Sequence, residues 1–409
     1  MISKSLYISY DGLLEPLGQS QVLPYIVGLA GAGMSFWVLS FEKPSDLGDA
    51  GRVRALREKL AADDIHWVPL RYHKSPTVPA TAWDILRGVL VAFWLAVLHR
   101  IPVVHARSYV PALIGRIVKT ITGATLIFDM RGFWPEERVD GKLWAPAGRL
   151  YRAAKWVEAG LLRTSDVIVV LTERARALLL SEKYGVRPDM PIVVIPCCTD
   201  VRRFTRVSAG TPKPAGRTLV YAGSVGTWYM LEEMLDFYIA AREADPDLRL
   251  LVLNRHEHER IEAILREKGV RAPDVSLVAA DFADVPQHLA SAFAGFYFIT
   301  PSYSKLASSP TKLAEYLAAG LPVVVNADIG DSADMVLKHG VGVVVDSFQT
   351  EQYRRKWKEF MRLVDSDPGL EDRCRDVAAR WLSLEYGAAQ YRHVYEAAAA
   401  SPSPREIPA

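Results

Sequence analysis

Residues Tyr303–Asn326 read YSKLASSPTKLAEYLAAGLPVVVN, a polar loop, a helix and an apolar strand in direct succession. Ser309 is a good helix N-cap and Pro310 suits the first helical position, while the later Gly-Leu-Pro sequence would end the helix. The run Val323–Val325 predicts the strand that follows. A continuous run of β-branched residues after a helix is typical of a parallel strand that helices cover on both faces. The stretch therefore predicts an α/β fold.

The same alternation of apolar strands and helical stretches runs along most of the chain. In the first half the predicted strands are Leu6–Tyr10, Phe36–Phe41, His66–Leu70, Val103–His105, Leu126–Asp129, Val167–Leu171 and Ile192–Pro196. In the second half they are Leu219–Tyr221, Leu250–Leu253, Val275–Val278, Phe296–Ile299, Val323–Val325 and Val343–Val345. Because crossovers between parallel strands are right-handed, this pattern predicts doubly wound sheets.

One stretch interrupts the alternation. Val207–Arg217 reads VSAGTPKPAGR, and its glycines, prolines and small residues predict an exposed linker between two Rossmann-like domains of similar size. A helix-only tail follows from about residue 349 to 399, and SPSPREIPA predicts a frayed terminus. Ligands of such sheets bind beyond the carboxyl ends of the strands, so we expect the site in a cleft between the domains.

The composition is that of a globular enzyme. The chain has 409 residues, 50% hydrophobic and 23% charged, which excludes disordered, collagen-like and coiled-coil classes. A formal net charge of +2 argues against nucleic acid as a partner, because phosphate neutralisation needs a basic excess. The three cysteines fit a reducing compartment and show no zinc-site spacing.

Two segments bear on targeting and membranes. The N-terminal sequence MISKSLYISYDGLL is not a signal peptide, so we expect a cytoplasmic protein. The run Ile85–Leu98, ILRGVLVAFWLAVL, is shorter than the roughly 20 residues that cross a bilayer, so we expect no spanning segment. Its length favours a buried helix. The alternative is an interfacial helix with Arg87, Trp94 and Arg100 at headgroup level, and hence peripheral contact with a membrane.

The helix start after Ser309 is the strongest candidate for phosphate binding. Thr311, Lys312 and Glu315 share one helix face, opposite the apolar face that would pack on the sheet. Unpaired N–H groups and the helix dipole favour an anion there. Lys312 would add a point charge on a diphosphate, and Glu315 could accept hydrogen bonds from ribose hydroxyls. The alternative is a surface helix with an i,i+3 ion pair.

A glycine-containing loop is the second candidate. In LVYAGSVGTWY, residues 219–229, a strand runs into Gly223, Ser224, Gly226 and Thr227, whose backbone amides could approach a ligand closely. The spacing is not G-x-G-x-x-G, and the sequence contains no P-loop, so ordinary turn chemistry is the alternative.

Together with the polar loop at residues 10–21, these segments resemble the family-four retaining glycosyltransferases of the GT-B fold. The resemblance covers nearly the whole chain. It is carried by the Gly18 loop, VHARSY at 104–109, FDMRG at 128–132, SDVIVV at 165–170, IPCCTD at 195–200, the block at 310–325 and Val394-Tyr395. IPCCTD is similar to the family's domain junction, which is usually Ile-Pro-Asn-Gly-Val-Asp.

The resemblance implies an organisation and an activity. Residues 1–200 would be the acceptor-binding domain, 201–383 the nucleotide-sugar-binding domain, 384–400 a crossover helix that returns to the first domain, and 401–409 a tail. The enzyme would transfer a sugar from a nucleotide-sugar donor with retention, through front-face attack by the acceptor hydroxyl. Because the departing diphosphate would be stabilised electrostatically, we expect neither a cofactor nor a metal.

The resemblance and the strand-end loops give the candidate residues. Donor binding is assigned to Gly18, Gly223, Ser224, Gly226, Thr227, Ser309, Thr311, Lys312 and Glu315. Acceptor binding is assigned to Gln19, Arg107 and Glu136, and catalysis to Asp129, Arg131 and Lys312. In the loop MRGFWPEE at 130–137 a carboxylate or Asp129 could orient the acceptor hydroxyl, and Arg131 could meet phosphate. A solvated loop with a local ion pair is the alternative.

The sequence also departs from the family pattern. Ala307 stands where the first of two family glutamates, eight residues before Glu315, would contact the sugar. Ser224 replaces an arginine, Trp228-Tyr229 fall where a lysine is expected, and Phe128 replaces a histidine. We therefore expect Lys312 to carry more of the diphosphate charge than in the family.

Three functions remain open at this point. The leading one is a glycosyltransferase that acts at the inner face of the cell membrane on a lipid-linked or polysaccharide acceptor in surface glycan synthesis. The second is an inactive sugar-nucleotide-binding or scaffold protein on the same fold, because fold does not guarantee chemistry. A sugar-nucleotide epimerase ranks last, since the strand-end loops supply no obvious acid–base pair.

Overall fold

The computed structural model describes residues 4–210, 216–281 and 283–400, and it divides into two compact units. Unit 1 comprises Met1–Pro196 together with Gly387–Ala409, and unit 2 comprises Cys197–Tyr386. The boundaries predicted from sequence, after residues 200 and 383, lie a few residues from these. The expected frayed tail at 401–409 lies outside the described residues.

Unit 1 is built on a sheet of seven parallel strands. They are β1 (Lys4–Ser9), β2 (Ser35–Glu42), β3 (Ile65–Arg71), β4 (Val103–Arg107), β5 (Thr125–Asp129), β6 (Val167–Val170) and β7 (Ile192–Val194). Their order is β3-β2-β1-β4-β5-β6-β7, so the winding reverses between β1 and β4. The central strands are buried, as their continuous apolar runs predict.

Helices cover both faces of this sheet. They are α1 (Pro16–Gln21), α2 (Leu23–Ala30), α3 (Pro44–Leu47), α4 (Ala50–Ala61), α5 (Thr77–Leu98), α6 (Tyr109–Thr122), α7 (Trp134–Asp140), α8 (Arg149–Thr164) and α9 (Glu173–Leu180). Because parallel crossovers are right-handed, α5, α6 and α8, which precede β4, β5 and β6, share one face.

Helix α5 differs from both expectations for this segment. It spans 22 residues because it begins at Thr77, well before the apolar run at Ile85, and by length and composition alone it could cross a membrane. The expectation of a segment too short to span is therefore wrong. The expectation of a buried helix is wrong too, since Trp94 and Leu98 are 66% and 73% exposed.

Unit 2 is built on six parallel strands. They are β8 (Thr218–Ala222), β9 (Arg249–Leu253), β10 (Val275–Val278), β11 (Ala294–Tyr297), β12 (Val323–Asn326) and β13 (Gly342–Val345). Their order is β10-β9-β8-β11-β12-β13, and the winding reverses between β8 and β11. Strand β11 ends at Tyr297, two residues before the end of the predicted strand at Ile299. The reason is that the Phe298 carbonyl and the Thr300 N–H pair with Met230 and Trp228, at the end of the glycine loop.

The helices of unit 2 include one where a linker is predicted. They are α10 (Val201–Gly210), α11 (Leu231–Arg242), α12 (His258–Glu267), α13 (Val285–Ala290), α14 (Thr311–Ala318), α15 (Ser332–His339), α16 (Thr350–Ser366) and α17 (Leu370–Trp381), with a 3₁₀ turn at Tyr303–Ala307. The predicted linker at 207–217 is therefore helical up to Gly210. Its residues 211–215 lie outside the described part of the chain.

The last helix, α18 (Leu384–Ala400), leaves unit 2 and packs within unit 1. The Tyr391 hydroxyl donates to the Asp129 carboxylate at 2.7 Å, and the Tyr395 hydroxyl pairs with His105 Nδ1 at 2.8 Å. Both partners are buried in the sheet, His105 in the middle of β4 and Asp129 at the end of β5. Two doubly wound parallel sheets and a final helix in unit 1 confirm the predicted fold class.

Candidate active site

The predicted site residues lie where the winding of each sheet reverses. In unit 2 the glycine loop follows β8, and the segment that leads into α14 follows β11, its neighbour in the sheet. In unit 1 the polar loop follows β1, and Ser108 follows β4. Loops that diverge at such a point leave room for a ligand beyond the strand ends. Each unit therefore carries its candidate residues at the expected edge.

The glycine loop of unit 2 is shaped by positive φ angles. Gly223 has φ of +146° and Gly226 of +96°, values that other residues rarely adopt. The Gly223 N–H donates to Leu253 O at 2.9 Å and the Val225 N–H to Glu257 Oε2 at 2.8 Å. These bonds hold the loop in one shape.

Two other amides of this loop have no such partner. The N–H groups of Ser224 and Thr227 donate to no group in the described part of the chain, whereas Gly226 is bridged to Tyr229 within the loop. Ser224 and Thr227 are exposed, and Gly226 is half-buried. The loop therefore presents donor groups that an anion can bind.

Lys312 lies against this loop. A Cβ atom added to Gly223 would be 2.5 Å from the Lys312 Nζ, so the glycine makes room for the ammonium group. Lys312 is only 8% exposed, and its Nζ stands 3.9 Å from the centroid of the Tyr229 ring. No described carboxylate forms an ion pair with it, so the alternative of a surface Lys312–Glu315 ion pair does not hold. Aromatic faces, which stabilise a cation weakly, lie directly against the buried charge, and the Glu315 carboxyl group acts on it electrostatically without forming an ion pair.

The position of Lys312 follows from the anchoring of α14. The Tyr316 ring packs on Gly295 of β11, and its hydroxyl accepts a hydrogen bond from the Ala222 N–H at 2.9 Å. These contacts fix α14 against the ends of both strands. Since Lys312 is four residues before Tyr316, it is on the same helix face and one turn nearer the glycine loop.

Lys305 is a second cation that the sequence analysis missed. Its Nζ stands 3.8 Å from the centroid of the Trp228 ring, and the side chain is 7% exposed. Trp228 and Tyr229 thus support two lysines from the segment at 303–312. The signal was present in the sequence, because these two aromatics occupy the place of the family's lysine. Lys305, which follows β11, therefore supplies a positive charge beside the loop after β8, where the family's lysine is expected.

Glu315 lies one turn further along α14 and is partly buried. Burial raises the pKa of its carboxyl group to about 7, although the cations of Lys312 and Arg203 act to lower it. Burial of Arg203 lowers the pKa of its guanidinium group, whereas the negative charge of Glu315 acts to raise that pKa. The carboxyl group therefore exchanges its proton near neutral pH and can accept or donate hydrogen bonds.

Ser309 and Pro310 differ from their predicted roles. Helix α14 begins at Thr311, and Pro310, in extended conformation, occupies the N-cap position with no side-chain cap. Ser309 is not the N-cap, because its hydroxyl accepts a hydrogen bond from the Cys197 N–H at 3.0 Å. Thr311 remains half-buried at the helix start, beside Lys312.

In unit 1 a buried carboxylate accepts hydrogen bonds from the backbone of the loop after β1 and fixes its conformation. Glu42, fully buried at the end of β2, accepts hydrogen bonds from the Leu13 N–H at 2.7 Å and the Leu14 N–H at 3.2 Å. Gly18 is buried in α1, where a Cβ would collide with the backbone of Leu13. Gln19 is exposed and donates to the Leu13 carbonyl at 2.5 Å. Sequence reasoning missed Glu42, since nothing local marks it.

Charged residues meet at the ends of β4 and β5. Arg107 donates to Asp11 Oδ2 at 2.9 Å, and Arg131 lies 3.7 Å from Asp129. Asp129 is fully buried; burial acts to raise its pKa, but Arg131, His105 and Arg107 together outweigh that effect and hold the pKa at about 2. Burial lowers the pKa of His105, although the Asp129 carboxylate acts to raise it.

The backbone after these strands is strained. Ser108 has φ of +73° and Arg131 of +59°, both uncommon outside glycine. Strain of this kind concentrates at functional sites. Glu136, in α7, lies farther along the same loop and pairs with Lys155 at 2.8 Å. The structure thus brings Arg107, Asp129 and Arg131 together, whereas Glu136 belongs to a separate cluster with Lys155.

Comparisons with known proteins place this architecture. Residues 19–198 match the family model described as a glycosyl transferase 4-like domain, and residues 300–354 match a glucosyltransferase 3-like, C-terminal domain. No curated protein matches the sequence. Within the described residues there is also no cluster of three His, Cys, Asp or Glu side chains that could hold a metal ion.

Solved structures share the fold over the whole chain at low identity. Sucrose-phosphate synthase from Thermosynechococcus elongatus is 16% identical, with a TM-score of 0.71 over 98% of this chain and 100% of that one. Anabaena Alr3699/HepE in complex with UDP and glucose is 12% identical, with a TM-score of 0.70 over 96% and 99%. The lipopolysaccharide outer core galactosyltransferase WaaB is 11% identical, with a TM-score of 0.63 over 96% and 99%. The shared architecture shows the GT-B fold, and the match of residues 19–198 to the glycosyl transferase 4-like domain supports a family-four glycosyltransferase.

Proposed function

We propose that this glycosyltransferase uses a nucleotide-sugar donor, bound by unit 2, and transfers the sugar with retention to a lipid-linked or polysaccharide acceptor bound by unit 1. The observation that carries the donor assignment is Lys312, a buried ammonium group with aromatic neighbours and no ion pair to a carboxylate among the described residues, beside a loop with available amides. A buried charge is costly unless it is paired, so this arrangement favours an anionic ligand.

The diphosphate of the donor fits this set of donor groups. The amides of Ser224 and Thr227 can each donate to a phosphate oxygen, Gly226 shapes the turn between them, and Lys312 supplies a full positive charge close to Gly223. Negative charge grows on the diphosphate as it departs, and preorganised donors stabilise that charge most in the transition state. In this proposal Lys312 acts catalytically through the leaving group, and the reaction requires no resident metal or other cofactor.

The nucleoside half of the donor would lie toward Glu315. With a pKa near 7, its carboxyl group can hydrogen-bond ribose hydroxyls both as carboxylate and as carboxylic acid. HepE of Anabaena was solved with UDP and glucose, which supports a donor of this class for a chain of the same fold. The base and the sugar are left to experiment.

The transfer itself is proposed as a front-face substitution. The bond between the anomeric carbon and the diphosphate oxygen breaks, and its electron pair stays on the diphosphate. The acceptor hydroxyl oxygen forms the new bond on the same face, and its proton passes to the departing phosphate oxygen. Retention follows because bond breaking and bond formation occur on one face of the sugar.

Unit 1 would orient the acceptor. We propose that Arg107 and Arg131 contact phosphate groups and that Asp129, fixed as a carboxylate, holds them in place. Gln19 and Glu136 remain proposed acceptor contacts, the latter through its Lys155 pair. WaaB is a lipopolysaccharide outer core galactosyltransferase, which supports a lipid-linked acceptor for a chain of the same fold; we further propose that this acceptor is presented at the cytoplasmic face of the cell membrane.

The test is turnover of a panel of nucleotide sugars with lipid and polysaccharide acceptor fractions, followed by determination of the anomeric configuration of the product by NMR. We expect one donor class to react with retention. Lys312→Ala should reduce turnover at least a hundredfold, whereas Lys338→Ala, an exposed lysine of α15, should have no effect. Nucleotide binding without turnover in any acceptor fraction would favour the scaffold function, and an inverted product would refute retention.

A further inference from the structure

We propose that unit 1 docks on an anionic lipid bilayer through one face, formed by α5 with the adjoining surfaces of α6 and α8. The starting observation is the distribution of side chains around α5. Its outward stripe is almost entirely apolar, and its most exposed members are Val78, Trp83, Leu86, Leu90, Trp94, Val97 and Leu98. Soluble proteins rarely leave so long an apolar stripe in water.

The inward stripe of the same helix consists of small residues. Ala80, Gly88, Ala92 and Ala96, with Asp84 between the first two, recur at four-residue intervals and are buried against the domain. A Cβ on Gly88 would lie 2.6 Å from Ile114 and 3.0 Å from Phe41, so the helix sits as close as its backbone allows. The large side chains are therefore on the solvent side, the reverse of an ordinary surface helix.

The contacts of Asp84 keep this helix on the protein surface. Asp84 is fully buried, and its carboxylate accepts hydrogen bonds from the Tyr10 hydroxyl at 3.0 Å and the His73 N–H at 3.0 Å. The other carboxylate oxygen, Oδ1, is 2.6 Å from His73 Nδ1. If α5 left the domain to span a bilayer, this carboxylate would lose its partners inside hydrocarbon. The helix, roughly 33 Å long, is therefore suited to lie flat in the interface.

The charges on this face favour an anionic surface. Helices α5, α6 and α8 contain seven cationic residues, Arg87, Arg116, Lys119, Arg149, Arg152, Lys155 and Arg163, against two acidic ones, Asp84 and Glu158. Both acidic side chains are buried. Two adjoining carboxylates, Asp166 and Glu136, pair with Lys119 and Lys155, so the excess on this face is +3 (seven minus four), whereas the whole chain carries only +2.

Helix α8 adds cations and an aromatic to the same side. Arg149, Arg152, Trp156 and Arg163 form one exposed stripe, and none of the three arginines forms an ion pair with another described residue. Contacts between α6 and α8, such as Lys119 Nζ to Thr164 O at 2.9 Å, keep the helices side by side. Exposed tryptophans near basic residues suit the boundary between headgroups and acyl chains. A soluble protein partner would not require this one-sided charge.

This inference deepens the proposed function and rests on it in one respect: docking would bring unit 1 to a lipid-linked acceptor. The contact itself needs only lipid. Vesicle binding can therefore be measured without donor or acceptor, and its failure would leave donor turnover in solution unaffected.

The experiment is co-sedimentation of the intact chain with phosphatidylcholine vesicles, with and without phosphatidylglycerol. We expect strong binding to the anionic vesicles, weakened by added salt. Because each buried large apolar side chain contributes about tenfold or more, Leu90→Glu with Trp94→Glu should reduce the partition coefficient about a hundredfold. Arg149→Gln with Arg152→Gln should diminish the preference for anionic lipid severalfold.

The matched control is Leu337→Glu in unit 2, where the leucine is 58% exposed, against 53% for Leu90. It should bind vesicles as the wild-type chain does. Thermal unfolding and nucleoside diphosphate binding should be unchanged in all variants. Equal binding by the Leu90→Glu/Trp94→Glu chain would overturn the proposal. Resistance of the bound chain to salt extraction, together with protease protection, would indicate a spanning helix and would also overturn the proposal. A wild-type dimer that dissociates in the Leu90→Glu/Trp94→Glu variant, with no vesicle binding by either chain, would instead overturn it by assigning the face to a second copy.

Discussion

Replacing Glu315 with glutamine should stabilise the protein and weaken donor binding at the same time. Burial raises the pKa of this carboxyl group from an ordinary 4.5 to about 7. The raised value means that the folded chain binds the proton more tightly than the unfolded chain. The stability from the protonated group is therefore fully present below about pH 4.5 and is lost as the pH rises through about 7.

The size of the effect follows from the two pKa values. Their difference of about 2.5 (7 minus 4.5) corresponds to about 3 kcal/mol at most, since part of the side chain reaches solvent. Glutamine has nearly the same shape and no charge to desolvate. Above pH 8 the Glu315→Gln chain should therefore be more stable than wild type by about 2–3 kcal/mol, and near pH 4 the two should be almost equal.

Urea unfolding of both chains across this pH range measures the difference, with Glu262→Gln on the exposed side of α12 as control. Nucleoside diphosphate binding, measured by calorimetry, should weaken about tenfold or more in Glu315→Gln, because a hydrogen bond to a charged acceptor is lost. Parallel stability curves for wild type and variant would refute the buried-charge argument. Unchanged nucleotide affinity would refute the ribose contact.

Two further substitutions test the packing around the proposed sites. Gly223→Ala places a methyl group against Lys312 at a φ of +146°, so nucleoside diphosphate affinity should fall at least tenfold while the chain stays folded, as calorimetry and circular dichroism would show. Tyr391→Phe removes a hydrogen bond to the buried Asp129 and should cost about 1.5–3 kcal/mol in urea unfolding. Because the pKa of Asp129 is lowered to about 2, its stabilisation is present above pH 4 and should be lost as the pH falls toward 2.

Both substitutions have matched controls in unit 2. Gly216 has a similar φ of +135° but no atom of the described residues within 4 Å of an added Cβ, so Gly216→Ala should leave nucleotide affinity unchanged. Tyr353 has a buried hydroxyl without a hydrogen-bond partner in the described residues, so Tyr353→Phe should cost little or nothing. A loss of affinity in Gly216→Ala, or equal costs for the two tyrosines, would contradict the assigned contacts.

The strand pattern was readable from the sequence because parallel strands buried on both faces require continuous apolar runs. All the predicted strands occur in the structure, as does the helix between Ser309 and Gly320. The local sequence pattern predicted a wrong helix cap and a wrong strand end where residues distant in sequence form the deciding hydrogen bonds. Ser309 is engaged by Cys197, 112 residues away in sequence, and the end of the run at Phe298 pairs with the glycine loop.

The orientation of α5 shows a different limit. A run that is apolar all round does not reveal which face is inside. The signal was the spacing of small residues at Ala80, Gly88, Ala92 and Ala96, which marks the face that packs most closely. In the same way, the burial of Lys312 and the support of Lys305 by Trp228 depend on loops from different strands, so no single segment contains that information.

The central claim is that unit 2 binds a nucleotide-sugar diphosphate through Lys312 and the glycine loop. Calorimetric titration of a panel of nucleoside diphosphates into the wild-type, Lys312→Ala and Lys338→Ala chains tests it most directly. The account predicts selective binding of one diphosphate, at least tenfold weaker binding in Lys312→Ala, and unchanged affinity in Lys338→Ala. Equal affinity in all three chains, or no binding of any nucleotide to the wild-type chain, would contradict it.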